Sequence, residues 1–435
     1  MALGGGTYVT QNKALPGAYI NFVSLARASA TLADRGIATM GLELDWGVEN
    51  EIFEVTNGDF QKNSLKIFGY PYNHEKLKGL RDLFISIKTL YAFRLNIGGA
   101  KASNTYATAK YTGVRGNDIK IVIQTNLDNE SLFDVITYID TTVVDTQTVS
   151  AASELVANDY VTFKTDASLA VTAGIALSGG TNGPVDGASH QAYLDKVESY
   201  SFNAIGVVTE EDSIKGLYTN FCKRLRDEVG LKFQAVVYNK KADYEGSINV
   251  KNKVKDEGWS ESSLVYWVTG VAAGCEVNKS NTNKIYSGEF TVDVDYTQNE
   301  LGKSIQDGEF TFHKVGSDVR VLEDVNSLVT TSDTKGDVFK DNQTIRVIDQ
   351  IANDIAVLFN TKYLGTVPND TAGRVSLWAD IVKHHEQLQD IRAIENFTDK
   401  DVTVTQGDSK KSVVVDDGVE VIGTMTRLYM TTIIR

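Results

Sequence analysis

Apolar positions along the chain change period several times, and each change marks an element. Over residues 37–44, 52–56 and 90–95, short runs of β-branched and aromatic residues read as strands. Between them Leu77, Leu80, Phe84 and Ile87 fall on one face of a helix, completing a β/α unit. From Gly98-Gly99 onward the chain is rich in Thr, Ser, Ala, Gly and Val, with alternating stretches at 119–123 and 160–163, until Gly179-Gly180-Thr181-Asn182-Gly183-Pro184 closes the block. An inserted all-β domain accounts for that change.

Beyond Pro184, helices over 188–200 and through Ile214, Leu217, Phe221, Leu225 and Val229 alternate with buried strands at 204–209 and 233–238. Such alternation predicts a mainly parallel sheet. Residues 263–274 are apolar on all sides, so periodicity leaves helix and strand both open. Strands are expected at 290–296 and 309–314, then amphipathic helices at 344–360, with Ile348, Ile351, Ile355 and Leu358 in one stripe, and at 376–394. Asp417-Gly418, between Val413 and Val415 on one side and Val419 and Val421 on the other, predicts a two-residue hairpin. The ending Thr-Met-Thr-Arg-Leu-Tyr-Met-Thr-Thr-Ile-Ile-Arg is apolar on both faces of a strand, so left bare it is an aggregation hazard that wants a partner strand. Residues 1–22 read as an extended arm.

Composition changes this picture little. A chain of 435 residues holds two to four domains, and 42% apolar with 23% charged residues is ordinary for a folded protein. The balance of 43 basic against 57 acidic residues, with no basic block, argues against nucleic-acid binding. Two cysteines, Cys222 and Cys275, are too few for a disulfide framework and are expected in the core of a protein made in a reducing compartment. The first residues lack a signal-peptide pattern and no run of 18 apolar residues occurs, so a soluble protein made in the cytoplasm is expected.

Searches for chemistry return little. Gly302-Lys303-Ser304 ends like a phosphate loop, but Thr297 stands where its first glycine belongs. Asp293 and Asp295 share a strand face without the further oxygen ligands a metal needs. His384 and His385 are adjacent rather than one helical turn apart, which excludes a zincin, and His385 continues the apolar line of Trp378, Ile381 and Leu388. There is no G-x-S-x-G elbow, and His74, His190 and His313 lie in no catalytic setting. Neither an enzyme nor a cofactor is expected.

Several stretches together resemble the contractile tail sheath proteins of phages and phage-tail-like bacteriocins, especially those of Gram-positive hosts. They are Pro16 to Phe22, Arg35-Gly36-Ile37 with Leu44-Asp45-Trp46-Gly47, and Ala109 to Asp118; then Ala272-Ala273-Gly274 with Asn278, Ser280 and Thr282, Val321 to Leu328, and Val421 to Met430.

The resemblance implies a multidomain α/β and β fold. Its parts would be an N-terminal arm (1–22), a β/α region (23–97), an inserted β-sandwich (98–185), a subtilisin-like α/β domain without catalytic residues (186–330), an α+β tube-facing domain (331–422) and a C-terminal arm (423–435). It implies stacked hexameric rings around a tail tube, with baseplate and tail-terminator proteins as further partners and no nucleic acid or membrane contact. Assembly would follow synthesis in the host cytoplasm, with release by lysis. Residues matching the inter-subunit arms are Thr7, Tyr8, Val9, Tyr19, Ile20 and Phe22 at one end, and Ile422, Met425, Arg427, Leu428, Tyr429, Met430 and Ile433 at the other. Val413, Val415, Val419 and Val421 would receive them. Lys383, His384, Glu386, Gln387, Asp390 and Arg392 would face the tube. The resemblance also favours a helix over 263–274. A different self-assembling protein, such as a shell or surface-layer subunit, is the alternative.

Overall fold

A computed structural model describes residues 32–434, so the N-terminal arm positions Thr7, Tyr8, Val9, Tyr19, Ile20 and Phe22 lie outside the described residues. The chain divides into two compact units, one of Asp34–Gln350 with the residues from Val421 onward, the other of Ile351–Glu420 with Leu32 and Ala33.

In the larger unit, β1 (Ile37–Leu42) is buried from Ala38 onward, as its largely apolar run requires, and its one polar side chain, Thr39, donates to Tyr91 O. The chain then passes through β2 (Phe53–Thr56), helix α1 (Asn57–Phe68) and helix α2 (Lys78–Phe84) to β3 (Thr89–Arg94). β3 runs parallel to β1, with Ile37 opposite Thr89 and Leu42 opposite Arg94, while β2 covers its outer edge antiparallel. Helix α1 is absent from the apolar pattern because only Phe60, Ser64 and Phe68 are buried; the reciprocal Thr56–Asp59 cap starts it.

The β insertion follows. β4 (Ala107–Ala109) pairs with β8 (Val161–Phe163), and β5 (Ile119–Thr125), β6 (Phe133–Ile139), β7 (Thr142–Val149) and β9 (Thr172–Ala176) form a second sheet in the order β7-β6-β5-β9. Ile119, Ile121 and Ile123 point into the core between them. The segments by which the chain enters and leaves this domain lie against each other, and glycine permits it. A Cβ on Gly99 would sit 1.9 Å from the Thr181 carbonyl oxygen, and one on Gly183 only 1.7 Å from that of Ile97. Buried Arg115 then ties the insertion to the rest, donating to Gly69 O (2.6 Å) and to Asp118 and Asp140.

From there α3 (Gly187–Val197), β10 (Ala204–Gly206), α4 (Asp212–Arg224), β11 (Gln234–Tyr238) and β12 (Ser247–Val250) rejoin the first sheet. Helix α5 (Val265–Gly274), helix α6 (Gln298–Gln306) and β13 (Glu309–Phe310) complete a seven-stranded sheet of order β13-β12-β11-β10-β1-β3-β2. The region up to residue 97 and the α/β region after 186, expected as consecutive bodies, therefore share one sheet. Its two faces carry separate cores, α2 and α5 on one side and α3 and α4 on the other. Residues 265–274 are helical because they lie wholly within the first of these cores, and Gly270 lets α5 approach α2 so closely that a Cβ there would stand 2.6 Å from Leu83 O.

Residues 290–296 are not the expected strand; only Val292 makes a single bridge, to Val254. Asp293 and Asp295 both pair with Lys255 instead. Gly302-Lys303-Ser304 lies inside α6, where backbone amides serve the helix rather than a ligand. A short hairpin of β14 (Phe312–Val315) and β15 (Asp318–Val321) follows. Helix α7 (Asn342–Leu358) then buries polar residues in its first turns: Arg346, 1% exposed, donates to Asp324 (2.7 Å) and Lys279 O (2.9 Å).

The smaller unit contains the end of α7, helix α8 (Thr371–Asp390), the short strand β16 (Ile394–Glu395), and β17 (Val402–Gln406) paired antiparallel with β18 (Val413–Asp417). The hairpin expected at Asp417-Gly418 does not form. A two-residue turn of the favoured kind needs left-handed backbone at both central residues, and neither Asp417 nor Gly418 has it. Asp417 instead ends β18 opposite Val402, with its carboxylate 2.9 Å from His385 Nε2, and the Gly418 amide donates to Asp401 O. Val413 and Val415 therefore pair with the 402–406 strand, not with Val419 and Val421, of which Val421 falls in β19 (Glu420–Val421).

Candidate functional site

The last segment stands apart from everything else in the larger unit. Its root is fixed by Gln343 in the first turn of α7, whose buried side chain brackets Gly423: Nε2 donates to Ile422 O (2.9 Å) and Oε1 accepts from Thr424 N (3.1 Å). Three residues on, Arg427 pairs with Glu323 at 3.2 Å. Thr424, Thr426 and Arg427 line a cavity of about 350 Å³ with Glu323, Lys340 and Asp341. Burial pushes the Asp341 carboxyl up to about 6, helped by the nearby Asp324 charge and opposed by the Gln343 amide.

Beyond this root no backbone hydrogen bond joins residues 425–434 to the described residues. Met425, Leu428, Tyr429, Met430, Ile433 and Ile434 are each more than three-quarters exposed. Contiguous exposed apolar side chains of this kind are uncommon on the surface of a folded domain. Gly423 is not a free joint, since the Gln343 amide holds both its neighbours.

In the smaller unit, β17 and β18 form a two-stranded sheet whose outer edges have no partner among the described residues. Val414 and Val415 are exposed on it, and Gly407 N to Ser412 O (2.9 Å) closes the connecting loop. On α8, Lys383, Glu386 and Asp390 are exposed, Gln387 is partly buried and accepts from Leu32 N, and Arg392 follows the helix end, exposed, with φ 61°. His384 does not belong to that surface. It is 1% exposed with Nε2 2.9 Å from Asp354 Oδ2, because a helix carrying Leu377, Ile381 and Leu388 inward carries position 384 inward too. His385 is fully buried, the packed histidine its apolar line predicts, and Cys222 and Cys275 are buried as expected. Gln343 and Glu323 were not singled out by the sequence. No pattern marks a lone glutamine in a first helical turn as the clamp of a segment eighty residues away.

Among the described residues no three His, Cys, Asp or Glu side chains gather as a metal site, and no helix is long and apolar enough to cross a membrane.

Comparisons with known proteins place this arrangement. Four sequence models match in succession: the tail sheath protein Gp18 domain III N-terminal region over residues 35–95, the phage tail sheath β-sandwich domain over 97–182, the sheath central domain over 183–327 and the sheath C-terminal domain over 334–435. The phage-like element PBSX protein XkdK of Bacillus subtilis is 32% identical across 98% of this chain and 99% of its own length. The chain belongs to the phage tail sheath family. As a sheath protein it has the multidomain α/β architecture with an inserted β-sandwich that its solved relatives share. The sheath tail protein of Desulfitobacterium hafniense is 37% identical and superimposes with a TM-score of 0.80, covering 90% of this chain and 93% of that one. The contracted helical sheath of the anti-feeding prophage, only 11% identical, shares the fold at a TM-score of 0.56 over 97% of this chain and 99% of that one.

Proposed function

We propose that this sheath protein is the contracting subunit of a tail. Copies stack as hexameric rings around a tail tube, and terminal arms of each copy add as strands to hairpins of its neighbours, holding the lattice together while it shortens and drives the tube through a target envelope. What supports this most is the unpaired apolar segment 425–434 in a chain that also carries an open-edged hairpin, β17–β18. The eleven residues 425–435 span about 36 Å at roughly 3.3 Å per residue, enough to reach an adjacent copy. An arm making five to eight backbone hydrogen bonds at about 0.5–1.5 kcal/mol each would contribute several kcal/mol per joint, besides side-chain burial.

In this reading Ile422 and Thr424, held by Gln343, stay with their own molecule, and the donated strand starts at Met425. Thr7, Tyr8, Val9, Tyr19, Ile20 and Phe22 supply the second donated strand. Val413 and Val415 on β18 lie at the receiving edge, and Val419 and Val421 beyond Gly418 lie outside it. Lys383, Glu386, Gln387, Asp390 and Arg392 would form releasable contacts with the tube, with baseplate and terminator proteins at the two ends of the cylinder. The parallel sheet with helices on both faces fits a subtilisin-like topology serving as a rigid block. Exchange of many modest contacts would make contraction downhill without nucleotide.

The test is expression of the full chain alone, followed by negative-stain electron microscopy. Hollow cylinders are expected, and a chain ending at Thr424 should remain folded and unassembled. Flat sheets or closed shells would favour a different self-assembling protein, and cylinders from the shortened chain would remove the arm from the mechanism.

A further inference from the structure

In the seven-stranded sheet the adjacent parallel strands β1 and β10 send the chain to opposite faces. From β1 it continues toward α2, whose Leu80 and Phe84 belong to one core; from the neighbouring β10 it continues to α4, whose Ile214 and Tyr218 belong to the other. The diverging exits open a crevice at the C-terminal ends of β1 and β10, the position at which open α/β sheets bind their ligands. A cavity of about 410 Å³ occupies it. That lies within the range of roughly 300–1,000 Å³ typical of small-molecule sites.

Its chemistry is one-sided. Glu43 after β1, Glu211 after β10 and Asp186 at the start of α3 bring carboxylates to the opening, while no lysine or arginine stands among the described lining residues. No ion pair neutralises any of these three among the described residues. Hydrogen bonding from Ser189 holds Asp186 below the usual carboxylate range, so it is charged. Two buried polar side chains also line the cavity. His190 has Nδ1 2.9 Å from Tyr218 Oη, and burial pushes its pKa down to about 4, so it adds no positive charge at neutral pH. Ser263 is fully buried and its hydroxyl has no partner, an expense that a bound donor or acceptor would relieve. Trp259 and Tyr266 contribute aromatic surface to the same space, which suits an organic cation. A metal ion is not favoured, because the acidic groups do not converge as a ligand set.

We propose that this crevice binds an ammonium or guanidinium group carried on a short aliphatic stem, with the charged head among Glu43, Asp186 and Glu211 and the stem against Trp259 and Tyr266. That chemistry is found both in free amines and in the lysine or arginine side chain of a second copy of this chain. The inference does not depend on the arms.

Putrescine and agmatine would be titrated into the full-length chain, with tryptophan fluorescence and thermal midpoint as readouts and succinate as the control of opposite charge. Saturable binding of both amines and none of succinate is expected. The doubly substituted Glu43→Gln, Glu211→Gln chain, altered only at exposed positions, should need roughly tenfold more amine for half-saturation. No saturation with either amine, an equal response to succinate, or undiminished binding by the double variant would overturn the proposal. Repeating the titration at rising protein concentration separates the sources: an unchanged affinity identifies a site for free amine, and a falling apparent affinity identifies competition by a second copy's basic side chain.

Discussion

Strand β11 and the segment 425–434 are built from the same kinds of residue and meet opposite fates. Gln-Ala-Val-Val-Tyr in β11 is buried at every position between β10 and β12, whereas Met-Thr-Arg-Leu-Tyr-Met-Thr-Thr-Ile-Ile is exposed at every position. Strand propensity cannot separate them, since both are rich in β-branched and aromatic side chains. What differs is the supply of neighbours. Among the described residues the chain folds its own strands onto both edges of β11 and sets none against 425–434, and in the proposed assembly a neighbouring copy supplies that partner.

If that distinction is sound, substitutions around β11 should damage folding and substitutions in the arm should damage only assembly. The largest effect is expected at Arg226, which donates to both oxygens of Asp349 (2.5 and 2.7 Å) and to the Phe233 carbonyl just before β11, with both side chains buried. Arg226→Ala strands a buried carboxylate and should cost about 3–5 kcal/mol, read as a lowered denaturant midpoint. A loss under about 1 kcal/mol would mean that water reaches the pair and that this region is less closed than its burial implies. Next comes Gly270→Ala, whose added Cβ would meet Leu83 O at 2.6 Å and force α5 away from α2. A cost of about 1–3 kcal/mol is expected from such overpacking, in the same measurement.

A smaller, pH-dependent effect should appear at the junction of core and arm. Asp341, beside the arm root, has a carboxyl raised to about 6, chiefly by burial. The folded chain therefore holds that proton more tightly than the unfolded chain does. Its contribution to stability is complete below about pH 4 and is lost as pH rises through about 6. On the order of 1–2 kcal/mol is involved, since Asp341 remains partly exposed. Asp341→Asn retains the acceptor for Gln343 N and should flatten stability against pH across that window; an unchanged profile would assign the dependence elsewhere, with Asp82, also raised to about 6 by burial, the next group to replace.

Much of the architecture was legible because burial and sequence pattern coincide. β1, β3, β10 and β11 are largely apolar runs, and strands β4 to β9 all fall between the glycine clusters at 98–99 and 179–183. Polar helices were missed: α1 and α6 bury few residues, yet each begins with a Thr whose side chain and third following acidic residue cap each other, Thr56 with Asp59 and Thr297 with Glu300. That signal was in the sequence and outweighs the weak apolar pattern. The turn at Asp417-Gly418 failed for a different reason. A dipeptide favours a turn only when nothing else claims it, and the upstream strand 402–406 claims β18 while His385 claims Asp417. The arm was legible as a segment lacking a partner, but its Gln343 clamp was not, because the contact joins residues some eighty positions apart.

The smallest expected change in stability is also the one that tests the comparison most directly. Leu428 and Met430 are 86% and 78% exposed, so replacing both by Ser removes no buried apolar surface from the folded molecule. Their combined effect on the unfolding midpoint should stay within about 0.5 kcal/mol. Arg427→Gln should behave alike, because its pair with Glu323 is exposed and worth at most about 0.5–1 kcal/mol. In an added strand, by contrast, the face that Leu428 and Met430 share would be buried against the neighbouring copy, and the loss would be repeated at every equivalent joint of the polymer. Leu428→Ser with Met430→Ser should therefore leave a chain that unfolds normally and fails to sediment as cylinders. Normal cylinders would show that the exposed apolar run is not what joins the copies, and a large drop in stability would show that the arm belongs to the fold after all.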